Sequence, residues 1–393
     1  MNNLDKALLP YEKMLRAQEK LRRRLGVKEV DRPTYERYIT GPIERFDRQK
    51  NAFLTLMPKN PHGEEFRQRF KQHTGLDHHM FPVPQSELEQ GDRIGTSLSA
   101  GVMRLCLEYH PETRPVTAPE GRVEVNDLSK MSRLVKKAAL LYGADMVRIT
   151  KLDQRWVYKD VEIPHKYAIV VAVSHKPSLI STAPSHFSGI ASADSYSRLK
   201  FITTQLSDFI CTLGYEAKYR ETLGPNLEML MVPLAIDAGI GEFARNGRVL
   251  SPEFGINMRL KAVTTDLPMQ VDKPISFGAH EFCTACENCA IFCPANAIPR
   301  GAPTDKPPTI HSNPGFKKWY IMADRCLMFW AANRKKWRTC GGRCIAVCPW
   351  NKPIVFHHNI ARWMAIHAPH WVKRKLAWSD MVVYGREKRI IKQ

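Results

Sequence analysis

Long apolar runs are missing from this 393-residue chain. Its most apolar pieces, such as Tyr167–Val173 and Met229–Ile236, are of strand length and fall short of the roughly eighteen residues that a helical bilayer span needs. An export signal is missing too, because Arg22-Arg23-Arg24 runs through Leu25-Gly26-Val27 straight into the charged Lys28-Glu29, with no apolar core between. A cytoplasmic protein is therefore expected as the sequence stands, or one on the extracytoplasmic face of a membrane if a twin-arginine leader was removed. No Gly-x-Gly-x-x-Gly opens a helix after a strand, and Gly239-Ile240-Gly241-Glu242 is only a fragment of that pattern, so a dinucleotide fold is unsupported. No repeat of solenoid length is visible. Acidic residues are few, 39 against 59 Lys and Arg, for a formal charge of +20. Such a charge favours nucleic acid, an anionic surface or an acidic redox partner, and does not choose among them.

Cysteine, by contrast, is concentrated. Eight of the ten cysteines fall between Cys283 and Cys348, at spacings that suit metal ligands rather than disulfides. Cys283-Thr-Ala-Cys286-Glu-Asn-Cys289-Ala-Ile-Phe-Cys293-Pro294 is the C-x2-C-x2-C-x3-C-P run of a paired 4Fe–4S ferredoxin. Three cysteines two residues apart wrap one cubane, and the fourth, turned by the proline, points to a different cluster. A structural zinc site would leave Cys293 and Pro294 unexplained. The second motif is looser: Cys326, then Cys340, Cys344 and Cys348-Pro349. Cross-ligation assigns Cys283, Cys286, Cys289 and Cys348 to one cluster, and Cys326, Cys340, Cys344 and Cys293 to the other. Eight cysteinates against two dipositive cores leave about −4, so the loaded protein stays basic at about +16. Cys106 and Cys211, in apolar helical surroundings, read as small buried hydrophobes.

Four regions differ in texture. Residues 1–120 are polar, with a helix expected near Lys6–Leu25. Residues 121–275 alternate helix and strand signals. Asp127 or Ser129 caps a helix carrying Met131, Leu134, Val135, Ala138 and Ala139 and stopped by Gly143; Tyr167–Val173 reads as a buried strand, Tyr196–Leu213 as a helix closed by Gly214, and Met229–Ile236 as another strand. That mixture implies an α/β sandwich. Residues 276–360 are rich in Cys, Pro, Gly and Trp, as expected where clusters supply the cohesion of a core. The tail, 361–393, holds eight Lys or Arg with Trp363, Trp371 and Trp378 interleaved, and reads as a solvated basic helix packed on the cluster module rather than a nucleic-acid site. A bare ferredoxin needs well under a hundred residues, so the preceding domain is expected to use the electrons.

The order of motifs from about 120 to 355 resembles the cobalamin-dependent reductive dehalogenases: a helix over Lys130–Gly143, Trp156-Val157-Tyr158, Ser195-Tyr196-Ser197, Leu213-Gly214-Tyr215, Ala238-Gly239-Ile240-Gly241-Glu242, Ser251-Pro252-Glu253-Phe254-Gly255, Thr264-Thr265-Asp266-Leu267-Pro268, the two cysteine motifs and Pro349-Trp350. The resemblance implies an α+β fold, a nitroreductase-like cobalamin-binding domain at 121–275 partly wrapped by 1–120, and a ferredoxin-like module carrying two 4Fe–4S clusters at 276–360. It implies base-off cobalamin, a small organohalide substrate, and a low-potential donor protein or quinol system. A membrane-anchor partner and a homodimer are further expectations, and nucleic acid is not.

It also implies a catalytic Tyr, Asn and Arg near cobalt, carried onto Tyr196, Asn226 and Arg259, with corrinoid contacts carried onto Ser192, Ser251, Glu253, Thr264 and Thr265. The chemistry suits these types. Replacing carbon–halogen by carbon–hydrogen consumes two electrons and one proton, and a positioned acid must supply the proton. Tyr196 is expected in the first turn of its helix, where the dipole favours a developing phenolate; Arg259 would favour it further, and Asn226 can orient without adding charge. Structurally, a Tyr at a helix start is more often packing, an Asn after Gly224-Pro225 a turn residue, and Arg259 a partner of Glu253 or Asp266.

The chain departs from the family in lacking the twin-arginine leader, in the gap of three residues between Cys340 and Cys344, and in its shortness. Epoxyqueuosine reductases look similar in their clusters and in Cys348-Pro349-Trp350-Asn351, but use an aspartate as acid, for which Asp194 is the candidate here. A non-catalytic electron-transfer subunit is the third reading.

Overall fold

The computed structural model describes residues 3–76, 121–333 and 342–384. The first expected helix forms as one turn at Asn3–Ala7 and then α1, Leu9–Leu25, with Pro10 in its first turn, where no N–H is needed, and Gly26 closing it at φ +75°. Helix α2, Glu64–Thr74, follows. Helix α3, Leu128–Leu141, starts where Asp127 accepts the Lys130 N–H at 3.0 Å. Then come β1, Met146–Lys151; β2, Tyr167–Ser174; α4, His186–Thr212; β3, Ala217–Tyr219; α5, Met231–Asp237; and β4, Met258–Thr265.

The strands form one antiparallel sheet in the order β1-β2-β4-β3. Alternation along β2 sends Ile169, Val171 and Val173 toward α3 and α4, where Val135, Ala139, Leu199, Ile202 and Leu206 pack. Ala168, Val170 and Ala172 face the other way, onto Trp156 and α5. Because β2 is covered on both faces, it reads as one continuous apolar run. The α/β sandwich thus appears as an antiparallel sheet with helices on both sides.

Two expectations are corrected. Met229–Ile236 is not a strand: Met229 makes an isolated bridge to Val157 and the rest winds into α5. A buried apolar run without periodicity fits either element, and Pro233 in the first helical turn is compatible with a helix. The helix read as Tyr196–Leu213 ends as expected but begins ten residues earlier, where Ser185 and Ser188 form a capping box. Tyr196 therefore lies in its third turn, away from the positive end of the dipole.

Helix α6, Ala279–Cys286, opens the cysteine-rich module, followed by α7, Ala323–Ala332, α8, Phe356–His367, and α9, His370–Val383. Phe277, Phe282, Cys348 and Trp350 share a core with Ile180, Ala191, Leu250 and Ile256, so module and sheet are joined by apolar packing. The N-terminal region bridges both: Tyr35 packs with Trp156 and Phe316, while Leu56, Phe66 and Phe70 pack on Leu327 and Ala331 of α7. Helices α8 and α9 lie on the module, tied by Arg362 to the Trp350 carbonyl and by Asn288 to the Ala377 carbonyl. Among the described residues no helix is long and apolar enough to cross a membrane.

Candidate functional site

Two elements present a row of polar groups to each other. Ser192, Tyr196 and Lys200 recur at helical spacing on one side of α4, and Arg259 and Lys261 alternate on the β4 face that meets it, Arg259 standing opposite Val173 in the ladder. The Arg259 Nε donates to Ser192 Oγ at 3.1 Å, and a second guanidinium nitrogen donates to the same oxygen. The guanidinium carbon stands 4.9 Å from the centroid of the Tyr196 ring. Tyr196 is half-buried, and its hydroxyl forms no hydrogen bond to another described residue. Further along, Lys200 and Lys261 share Glu221 at 3.3 and 3.1 Å. Near this row, His175 is buried with Nδ1 2.9 Å from Ser195 Oγ. Burial, then Arg259, hold its imidazole well below the usual range, so it stays neutral.

Arg259 and Ser192 line a cavity of about 220 Å³ whose other walls carry Cys293, Cys326 and Cys344. A neighbouring cavity is ringed by Cys283, Cys286, Cys289 and Cys348. The thiols thus group by cavity rather than by position along the chain. Cys340 and Cys106 lie outside the described residues. The thiols do not converge on a point: among the described residues no three His, Cys, Asp or Glu side chains close tightly enough to hold a single ion. Burial pushes the Cys283 thiol up to about 11 and those of Cys286 and Cys289 well above the usual range, a cost that a cationic cluster would reverse by binding thiolates.

Between the two cavities sits the hairpin formed by Glu242–Phe243 and Val249–Leu250. Its turn residue Asn246 lines both of them. Asn246 is buried, and neither amide atom has a partner among the described residues. Arg245 beside it donates to the Cys283 carbonyl at 3.1 Å and pairs with Glu287 at 3.1 Å, fixing the first cysteine loop.

Residues 282–352 match the family model of the 4Fe–4S dicluster domain. The tetrachloroethene reductive dehalogenase of Sulfurospirillum multivorans is 29% identical over 314 residues, covering 70% of this chain and 61% of that protein. The solved structure of the catabolic reductive dehalogenase NpRdhA superposes with a TM-score of 0.71 at 22% identity, over 92% of this chain and 49% of that one. The chain is similar to the reductive dehalogenases in sequence and in fold. It spans about half to three-fifths of the length of those relatives. The epoxyqueuosine reductase of Bacillus subtilis, 30% identical, matches only 131 residues, 30% of the chain.

Within this reductive dehalogenase fold, Tyr196 and Arg259 come together and Asn226 does not join them. Asn226 is exposed on the loop before α5, with no hydrogen bond to either. Asp194 is two residues from Tyr196, and on a helix that turns it away; it faces Lys176 at 3.4 Å. Of the expected corrinoid contacts Ser192 lines the cavity of Arg259. The other four have their polar atoms engaged within the protein. Ser251 accepts the N–H groups of Glu253 and Phe254. Glu253 is ion-paired with Arg22. Thr264 binds Arg220 and His165, and Thr265 bonds the Glu216 carbonyl. Cys211, half-buried and donating weakly to the Ala217 carbonyl at 3.6 Å, is a packing residue as expected.

Sequence reasoning missed Arg22, Asn246 and His175. Arg22 lay in a basic triplet with nothing to mark it as internal, whereas Asn246 follows the Gly239–Glu242 fragment and was within reach of a closer reading of that loop.

Proposed function

We propose that the protein is a reductive dehalogenase, replacing carbon–halogen by carbon–hydrogen in a small organohalide with two electrons and one proton, halide leaving. The observation that carries this reading is Arg259, which stacks over Tyr196 and lines one cavity with Cys293, Cys326 and Cys344. A fixed cation that lies over a proton-bearing phenol thus shares a wall with cluster ligands.

The residues fit the groups this chemistry needs. Cys283, Cys286, Cys289 and Cys348 would hold one 4Fe–4S cluster, and Cys293, Cys326, Cys344 and Cys340 the other. Ser192, Arg259 and Asn246 would hold the corrinoid, the Asn246 amide, without a partner among the described residues, being a suitable mate for amides. When bound, the corrinoid supplies a low-valent cobalt and the clusters supply single electrons from a low-potential protein or quinol donor.

The chain's own part is to hold substrate and deliver the proton. Tyr196 Oη has no acceptor among the described residues, so its proton is available to the carbon losing halide. Arg259, pinned by Ser192, stabilises the phenolate left behind, a task that the helix start does not perform. The neutral His175 adds no competing charge beside it.

Anaerobically reconstituted protein should contain about one cobalt and eight iron atoms per chain. It should release halide from some member of a panel of chlorinated, brominated and fluorinated compounds given a low-potential donor. Tyr196→Phe should keep both metals and lose turnover by orders of magnitude. Full activity in that variant would end the assignment of the proton donor, and an absence of bound corrinoid would end the reading itself.

A further inference from the structure

The hairpin at Glu242–Leu250 has a second side. Asn246 and Arg248 line the cavity of Arg259, whereas Phe243 and Gly247 line a separate cavity of about 320 Å³. Its walls are aromatic. On one, Tyr35 stands edge-on to Trp156 and Phe316, with centroids 5.6 and 5.9 Å apart. On the other, His280 is stacked on Tyr38 at 4.4 Å and tilted against Trp319 at 4.6 Å.

Two polar groups on these walls lack partners among the described residues. The Lys318 ammonium makes no hydrogen bond or ion pair with any described residue; it stands 4.8 Å from the Tyr320 centroid and 5.3 Å from that of Phe316. Both ring nitrogens of His280 are buried and unbonded. Several other buried or half-buried cations have carboxylates, such as Arg22 with Glu253, Lys136 with Asp272 and Arg220 with Glu228, whereas the half-buried Lys318 has none among the described residues. Glu242 also lines this cavity, but its oxygens take the Phe277 and Ala279 N–H groups and the Ser276 hydroxyl. Aromatic rings return only part of what an ammonium loses on leaving water, so an anion is the missing partner. Burial pulls Lys318 down to about 8, which leaves it largely charged at neutral pH.

We propose that this cavity binds a planar aromatic anion, an aryl carboxylate or phenolate, with its ring against Trp156 and Trp319 and its charge at Lys318, His280 serving as second donor. The volume suits a compact ligand of one or two rings, and flat walls with one unpaired cation select flatness and charge together. The site is distinct from the Ser192–Arg259 cavity, and the proposal stands whatever reaction occurs there.

The test is equilibrium dialysis of protein loaded with clusters and corrinoid, against 2-naphthoate and its neutral analogue 2-naphthamide. Native protein should bind one naphthoate, at least about tenfold more tightly than the amide. Lys318→Gln should lose about tenfold or more in naphthoate affinity with amide binding unchanged, and Lys318→Arg should restore it. Equal binding of the two probes, an unaltered naphthoate affinity in Lys318→Gln, or no saturable binding to the loaded protein would each overturn the proposal. Should Lys318→Gln fail to fold, the comparison of the two probes on native protein still decides.

Discussion

Arg22 on the first long helix and Glu253 in the loop before β4 form a buried ion pair, Nε to Oε1 at 2.5 Å, across 231 positions of sequence. The same guanidinium donates to the carbonyls of Gly239 and Ile240, so α1 is fastened to the hairpin that separates the two cysteine cavities and to the loop that follows it. Arg22→Ala would strand a buried carboxylate and two carbonyls. Denaturant unfolding should show a loss of about 3–5 kcal/mol. Arg22→Met combined with Glu253→Met should cost less than either change alone, since neither charge is then left unpaired. A single variant within about 0.5 kcal/mol of native protein, the usual range for a neutral surface change, would show that the pair carries no structural burden.

The fork of Arg259 matters as much as its charge. Two of its nitrogens reach Ser192 Oγ while its plane lies over the Tyr196 ring, a double engagement that a lysine ammonium cannot reproduce. Arg259→Lys should therefore retain clusters and corrinoid yet lower kcat by about 10–100-fold, the range of a mispositioned general acid. Unchanged iron and cobalt content beside the lowered kcat separates this from simple damage to the fold. Native kinetics in Arg259→Lys would assign the arginine to packing.

What was legible in the sequence was whatever local spacing encodes. The helix of Met131, Val135 and Ala139, the strand at Tyr167, and the grouping of cysteines by motif all follow from period or spacing, and the fold bears out the first two. The start of α4 was not legible, because Ser185–Ser195 is mostly small residues with only Phe187 and Ile190 as large apolar ones, too few to set a period, and its boundary rests on the capping box. Met229–Ile236 carried no period to tell strand from helix. Pairs such as Arg22 with Glu253, and unpaired groups such as Asn246 and Lys318, exist only once distant segments meet, so a single sequence holds no sign of them.

Asn246 provides a test of how the clusters are tuned. Its amide is buried between the two cysteine-lined cavities without a partner, and sulfur is the acceptor that loaded clusters would offer. Hydrogen bonds to cluster sulfur raise reduction potential. Asn246→Leu should thus lower the midpoint of at least one cluster by tens of millivolts, about 59 mV being a tenfold change for one electron. Potentiometry followed by electron paramagnetic resonance reads this without any turnover. Unchanged midpoints in both clusters would mean that the amide serves the corrinoid alone or nothing.

Asp237 makes the fold pH-sensitive. It accepts from Tyr35 Oη at 2.5 Å and from Trp156 Nε1 at 2.6 Å, yet burial dominates and pushes its carboxyl up to about 7. The folded state therefore keeps a proton that the unfolded chain, with an ordinary carboxyl, has already lost between about pH 4 and 7. Stability must fall as pH rises through that window and level off above it, the penalty reaching about 4 kcal/mol at most. Asp237→Asn keeps the shape, accepts from Trp156, donates to Tyr35 and cannot ionise. Its denaturation midpoint should match the native protein at pH 5 and exceed it at pH 8, other titrating groups cancelling in the difference. Parallel pH profiles for the two proteins would show that Asp237 is already ionised in the fold, its two donors outweighing the cost of burial.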